Sequence, residues 1–177
     1  MRKIFFAAIA CFAIILFACN SETEKTTATA ANAADSTTYS YKAGYSSSFE
    51  MGDPKNSEII LKLWKDFDNG DLSVTKSSFA DTVDINLRDG TRMVGPRDSI
   101  VAGAQAYRNE FTSVQSRVDA FFSIRSTDKN ENWVCIWGTE ASTHKSGKVD
   151  SVRLQETWRL NKDGKVDFML QYGMVAK

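Results

Sequence analysis

One carboxylate falls on the wrong face of a strand. Residues Ser151–Leu160 read SVRLQETWRL and alternate at period two, the pattern of a half-buried strand. Val152, Leu154, Trp158 and Leu160 share one face; Arg153, Gln155, Thr157 and Arg159 share the other. Glu156 lies on the apolar face. A free Glu has a pKa near ~4.3, so holding it neutral at pH 7 costs on the order of 3.7 kcal/mol. That is a large share of a domain's roughly 5–15 kcal/mol. Such a cost marks either a functional carboxyl or a paired one. In the first case Glu156 is a general acid/base, or a hydrogen-bonding group for a ligand. In the second it is structural, held by a neighbouring Arg, a Trp N–H or water at a cavity mouth.

Other chemistry is thinly represented. His144, the only histidine, sits at a strand end before the Ser146-Gly147 turn. A metal site needs several ligands together, and His144-Lys145 offers no cluster, so no metal and no cofactor is expected. Asp89-Gly90 and Asp163-Gly164 are hairpin signals, not phosphate loops. Basic and acidic residues balance at 22 each with no basic stripe, which argues against a nucleic-acid partner. Cys135, between Trp133 and Trp137, reads as a small buried hydrophobe rather than a nucleophile. Eleven Phe and four Trp supply large aromatic area. Trp64, Phe67, Phe79, Phe111, Trp133, Trp137, Trp158 and Tyr172 are the candidates to line a ligand pocket; the same residues also serve as core.

The elements that must position these groups follow from capping and periodicity. Asp53-Pro54 opens a helix whose face carries Ile60, Leu63, Trp64 and Phe67, and Asn69-Gly70 stops it. A short second helix is predicted over Val74–Phe79. A strand over Thr82–Leu87 turns at Asp89-Gly90 and returns over Thr91–Val94. Gly95-Pro96 opens a third helix running to about Phe111. Four long strands follow: Val114–Ser126, Trp133–His144, Val149–Leu160 and Lys165–Val175, the last with Val166, Phe168, Leu170 and Tyr172 on one face. Helices in front and meandering strands behind define an α+β domain over 49–177.

The N-terminus obeys different rules. Arg2 and Lys3 precede an apolar run of 14 residues, Ile4–Phe17, short of the ~20 a spanning helix needs. Residues 1–18 therefore read as a secretory signal. Leu16-Phe17-Ala18-Cys19 resembles the bacterial lipobox, although Phe17 is bulky for its position. The resemblance implies cleavage before Cys19, lipid on that cysteine, and anchoring to a membrane of the cell envelope, facing the periplasm or the surface. Residues 19–48, rich in Ser, Thr and Ala, read as a tether. Tyr39, Tyr41, Tyr45 and Phe49 are placed to pack onto the domain as an arm.

The folded part resembles the nuclear transport factor 2-like, or SnoaL-like, superfamily. The matching stretches are WKDFDNGD at Trp64–Asp71, FADTV at Phe79–Val83, Asp89-Gly90 with Gly95, WVCIWG at Trp133–Gly138 and ETWRLNKDGKV at Glu156–Val166. The resemblance implies a strongly curved antiparallel sheet of about six strands, closed by three helices into a cone with an apolar cavity. Its ketosteroid isomerase members carry a Tyr, an Asp base and a protonated acid at positions that fall here on Leu63, Ile85 and Glu156. Only the third is polar. Asp84, beside Ile85, is expected on the opposite face. The expected role is therefore binding of a small apolar ligand or an accessory function in an envelope assembly. The alternative is a SnoaL-like isomerase, cyclase or hydrolase using Glu156. Phe121, Val134, Ile136, Met169 and Val175 are expected outside, beside Arg153, Gln155, Thr157, Arg159 and Gln171, as a homodimer face.

Overall fold

The computed structural model describes residues 39–176, and the residues from Tyr41 onward form one compact unit. The expected signal at 1–18, the Cys19 lipid site and most of the 19–48 tether lie outside the described residues. The chain runs β1 (Phe49–Met51), α1 (Pro54–Asn69), a 3-10 turn (Ser73–Ser78), β2 (Phe79–Asn86), β3 (Arg92–Pro96), α2 (Arg97–Arg108), β4 (Phe111–Ser126), β5 (Glu131–His144), β6 (Val149–Leu160) and β7 (Val166–Val175). The strands make one sheet in the order β1-β4-β5-β6-β7-β2-β3. Every pairing is antiparallel except β2 with β7. The fold is thus α+β, a curved and unclosed sheet with few helices. Among the described residues the sheet has seven strands, one more than the six or so expected. The extra one, β1, is a three-residue edge strand on the Ile124–Ser126 end of β4.

Helix α1 lies across the concave face. Asp53 caps it by accepting the Lys55 N–H at 2.9 Å, and Pro54 occupies the first turn. Ile60, Leu63 and Trp64 are buried beneath it, each contributing on the order of 2 kcal/mol as apolar area leaves water. Gly70 ends the helix at φ 86°, its N–H reaching the carbonyls of Asp66 and Phe67. A Cβ at Gly70 would also stand 3.2 Å from the Arg108 guanidinium. That guanidinium is buried and donates to the carbonyls of Phe67, Asp68 and Phe111, which ties the end of α1 to the start of β4. Gly70→Ala is therefore expected to cost about 1–2 kcal/mol, from left-handed backbone strain plus displacement of Arg108. A urea titration read by circular dichroism checks it.

Helix α2 stops at Arg108, three residues short of the expected Phe111. Phe111 instead opens β4 opposite His144, and its ring packs against Tyr107 (5.1 Å between centroids) and His144 (4.6 Å). The ladders of the long strands shift register at Phe111/Ser113, where β4 begins, and at two places further along. Between Val118 and Ala120, β4 carries an extra residue against Gly138 and Trp137. A Cβ on Gly138 would meet the Arg117 carbonyl oxygen at 2.3 Å, so the bend requires a glycine there. The second shift falls between the Arg159↔Phe168 and Leu160↔Val166 pairs, leaving Asp167 unpaired on β7.

These shifts decide which side chains face the cavity. Directly opposed residues in an antiparallel ladder share a face. Trp158 stands between Val134 and Met169, Glu156 between Ile136 and Gln171, and Val152 opposite Val175. Phe121 pairs with Ile136. All five apolar residues expected on the outer face, and Gln171 with them, therefore belong to the concave face. Val134, Ile136 and Met169 are core there, while Phe121 and Val175 are exposed near the margins. The convex face carries Arg153, Gln155, Thr157 and Arg159 as expected. Its aromatics include Trp133, Trp137, Phe168 and Tyr172, by pairing with those residues, and Phe122, opposite Cys135.

Residues just before β1 lie along the sheet edge. Tyr45 hydrogen-bonds Glu131 and sets its ring edge-on to Trp133 at 6.1 Å. Ser48 accepts the Thr127 N–H through its carbonyl at 2.9 Å.

Candidate functional site

The concave face, α1 and α2 enclose a cavity of about 570 Å³. Leu63, Phe67, Ile85, Leu87, Met93, Ile100, Val101, Leu154 and Met169 make most of its wall apolar. Of the pocket candidates, Trp64, Phe67, Phe79 and Trp158 line it, together with Glu156. Phe111, Trp133, Trp137 and Tyr172 do not. Phe111 is buried between Tyr107 and His144. Trp133 stands on the convex face, where the Arg159 guanidinium lies over both its ring (5.7 Å) and that of Phe168 (5.6 Å). Trp137 and Tyr172 are convex and exposed, flanking Gln155 on neighbouring strands.

Glu156 is 5 % exposed, and no cation among the described residues stands against it. Its Oε2 accepts the Trp64 indole N–H at 2.6 Å and the Trp158 indole N–H at 2.9 Å. Its Oε1 accepts the Gln171 amide at 2.8 Å. Burial pushes the carboxyl's pKa up, and the hydrogen bonds from Gln171, Trp64 and Trp158 pull it back in part. Of the partners weighed for a structural Glu, indole N–H groups are the ones present. The two other positions that carry isomerase machinery by resemblance, Leu63 and Ile85, also face the cavity but carry no polar atom. Asp84 points the other way and binds Arg92 at 2.7 and 3.0 Å, so β2 has not slipped.

A second carboxyl escaped the sequence reading. Glu140 on β5 opposes Val152 on one side and Ser116 on the other, and it lines the cavity. Burial, reinforced by the nearby charges of Glu156 and Asp68, pushes its pKa up to about 7. Arg88 and Arg108 offset this in part, and no hydrogen bond from the described residues reaches its carboxylate. Arg88, Asp89, Thr91, Gly103 and Tyr107 also belong to the wall. Burial also raises the Tyr107 phenol, with Glu140 as the next cause. The signal for Glu140 was present as V-x-I-x-G-x-E from Val134, but the competing set Trp133, Cys135 and Trp137 is equally apolar. Cys135 is half-buried on the convex face opposite Thr157. His144 bonds Asp150 at 2.8 Å, away from the cavity. Among the described residues no group of three or more His, Cys, Asp or Glu could hold a metal ion.

This geometry has counterparts among solved structures. A candidate SnoaL-like polyketide cyclase from Shewanella denitrificans superposes with a TM-score of 0.57, over 69 % of this chain and 92 % of that one, at 11 % identity. AusH from Aspergillus nidulans gives 0.56 over 72 % and 89 %, at 14 % identity. IdmH, a candidate polyketide cyclase from Streptomyces antibioticus, gives 0.52 over 67 % and 91 %, at 18 % identity. No family model and no curated protein matches the sequence. The chain thus has the cone-shaped SnoaL-like, NTF2-like fold, and at these identities the likeness is one of fold.

Proposed function

We propose that this chain is a lipid-anchored protein of the cell envelope whose cone holds a small, largely apolar ligand without transforming it. The observation that carries this reading is the open cavity of about 570 Å³ in which Glu156 is already tied to three protein donors. A carboxyl fixed by two indoles and an amide braces the wall and has little freedom to shuttle a proton. Leu63 and Ile85 provide no partner acid or base. The short apolar leader and Leu16–Cys19 support the anchor. Convex aromatics beside Gln155 and Arg159 support a homodimer on that face.

Mass spectrometry of the purified chain, sprayed under native conditions, is expected to show an added apolar small molecule and diacylglyceryl modification at Cys19. Trp64 and Trp158 line the cavity, so their fluorescence is expected to change when a ligand is added back. A chain that purifies empty and whose fluorescence ignores a panel of apolar compounds would sink the binding reading. Loss of membrane attachment in Cys19→Ala tests the anchor separately, and sedimentation tests the dimer.

A second reading is favoured by Glu140. A carboxyl held near neutrality in a ligand-sized cavity is suited to general acid/base work. Solved structures of this fold include an enzyme described as epoxide hydrolase/cyclase-like. Turnover of a cyclisable or epoxide probe that disappears in Glu140→Gln would establish it.

A further inference from the structure

We propose that the cavity selects an apolar molecule ending in a cationic amine, and that the Glu140 carboxylate is the group that binds the amine. This rests on the cavity being a ligand site and names the class of ligand it takes. The two carboxyls of the wall differ in what they have left to offer. Glu156 has both oxygens engaged by Trp64, Trp158 and Gln171. Glu140 has no hydrogen-bond partner among the described residues, and it lines the open volume.

The groups around Glu140 compensate its charge only in part. From α1, Asp68 adds a negative charge, its oxygens taken by the Ser116 hydroxyl at 2.8 Å and N–H at 3.2 Å. From β6, Glu156 adds a second. From α2, the Arg108 guanidinium is committed to three backbone carbonyls and makes no ion pair with Glu140. From the β2–β3 turn come Arg88, whose charge acts on Glu140 without pairing with it, and Asp89, which opposes Arg88. Tyr107 on α2 adds a phenol. An anionic head would meet three carboxyls, Glu140, Glu156 and Asp89, against the one guanidinium of Arg88 on the described wall. A cation would meet a free carboxylate.

Aromatic faces add a second attraction. Tyr107 and Phe67 stack at 6.4 Å, and both line the same cavity as Glu140. Ring faces of this kind attract ammonium groups. The apolar remainder of the wall, from Leu63 to Val101, accommodates the hydrocarbon part. A charge-assisted hydrogen bond plus a ring contact makes about a tenfold or greater preference over a neutral head of equal length.

The test uses octylamine, 1-octanol and octanoate, which share a chain and differ in the head. Each is titrated into the full chain held in phospholipid nanodiscs, read by tryptophan fluorescence with empty nanodiscs subtracted. At about pH 8, where the amine is cationic and Glu140 ionised, octylamine is expected to bind about tenfold tighter than octanol, with octanoate weakest. Glu140→Gln is expected to bring octylamine to the octanol level while octanol stays within about twofold. The wild-type chain at about pH 5 serves as a check that needs no variant: protonating Glu140 is expected to abolish the preference. Octanol and octylamine binding alike, or a preference surviving both Glu140→Gln and acid, overturns the amine assignment and leaves the cavity as a ligand site. Failure of all three probes to bind overturns both.

Discussion

Glu156→Ala is expected to destabilise the domain by about 4 kcal/mol, whereas Glu156→Gln is expected to leave it as stable as the wild type or more so at pH 8. The difference follows from what each change leaves behind. Alanine removes the acceptor for Trp64, Trp158 and Gln171 together. A buried donor left without a partner costs about 1–3 kcal/mol. Both indoles are on buried residues, so they cannot turn to water without giving up the packing of α1 on β6. Glutamine keeps one oxygen for the two indoles, and its own amide can donate to Gln171 once that amide turns over. It also removes a charge that burial already disfavours. The sign with pH follows. Glu156 has a raised folded pKa, so it favours the folded state when protonated and weighs against it when ionised. The advantage of Glu156→Gln is therefore expected to grow as pH rises. Urea unfolding of the three proteins at low and high pH checks this. An alanine variant as stable as the glutamine variant would show that the three hydrogen bonds stabilise nothing.

What made Glu156 legible in the sequence also explains what stayed hidden. Over Ser151–Leu160 of β6 every outward residue is polar, so the alternation fixes the phase and exposes the one acid that breaks it. The α1 face, with its Asp-Pro start and Asn-Gly end, was legible for the same reason: caps and periodicity agree. In β5 both faces are apolar near Trp133–Trp137, and hydrophobicity cannot choose between them. Pairing with β6 chooses, because Ile136 must oppose Glu156. That choice buries Val134 and Ile136, turns Trp133 and Trp137 outward, and carries Glu140 into the cavity. In β7 the alternation is clean but broken once. The unpaired Asp167 lets Val166 face inward with Leu160 while Phe168 faces outward with Arg159. One added residue thus moved Phe168, Leu170 and Tyr172 to the convex face and brought Gln171 to Glu156. A bulge leaves no compositional mark in a single sequence, so Gln171 could not be found from it. The strand β1 was hidden for another reason: three exposed residues, Phe49–Met51, carry no periodicity.

The second large effect concerns pH and Glu140. Its carboxyl goes from an ordinary value of 4.5 to about 7 in the folded chain, chiefly through burial. A carboxyl raised on folding stabilises the native state fully below its unfolded pKa. That contribution is lost as pH rises through the folded value. Between about pH 4.5 and 7.5 the wild-type protein is therefore expected to lose about 2–3 kcal/mol, the figure being reduced because the group keeps some access to solvent. Asp84, Asp98, Asp128 and Asp150 act oppositely, since their pKa values are lowered by partners such as Arg92, Lys76, Ser46 and Lys148. Their contribution is lost only as pH falls through the acid range. The two limbs are thus separated in pH, and stability is expected to peak near pH 4.5–5. Glu140→Gln is expected to remove most of the neutral limb and to leave the acid limb in place. Chemical denaturation at half-unit steps of pH measures both limbs; an unchanged neutral limb in the variant would assign it to Glu156 alone. A bound cation would act on the same equilibrium. By favouring ionised Glu140 it would lower the folded pKa and flatten the neutral limb in the wild type, while the glutamine variant, with no carboxyl at that position, would show no such flattening.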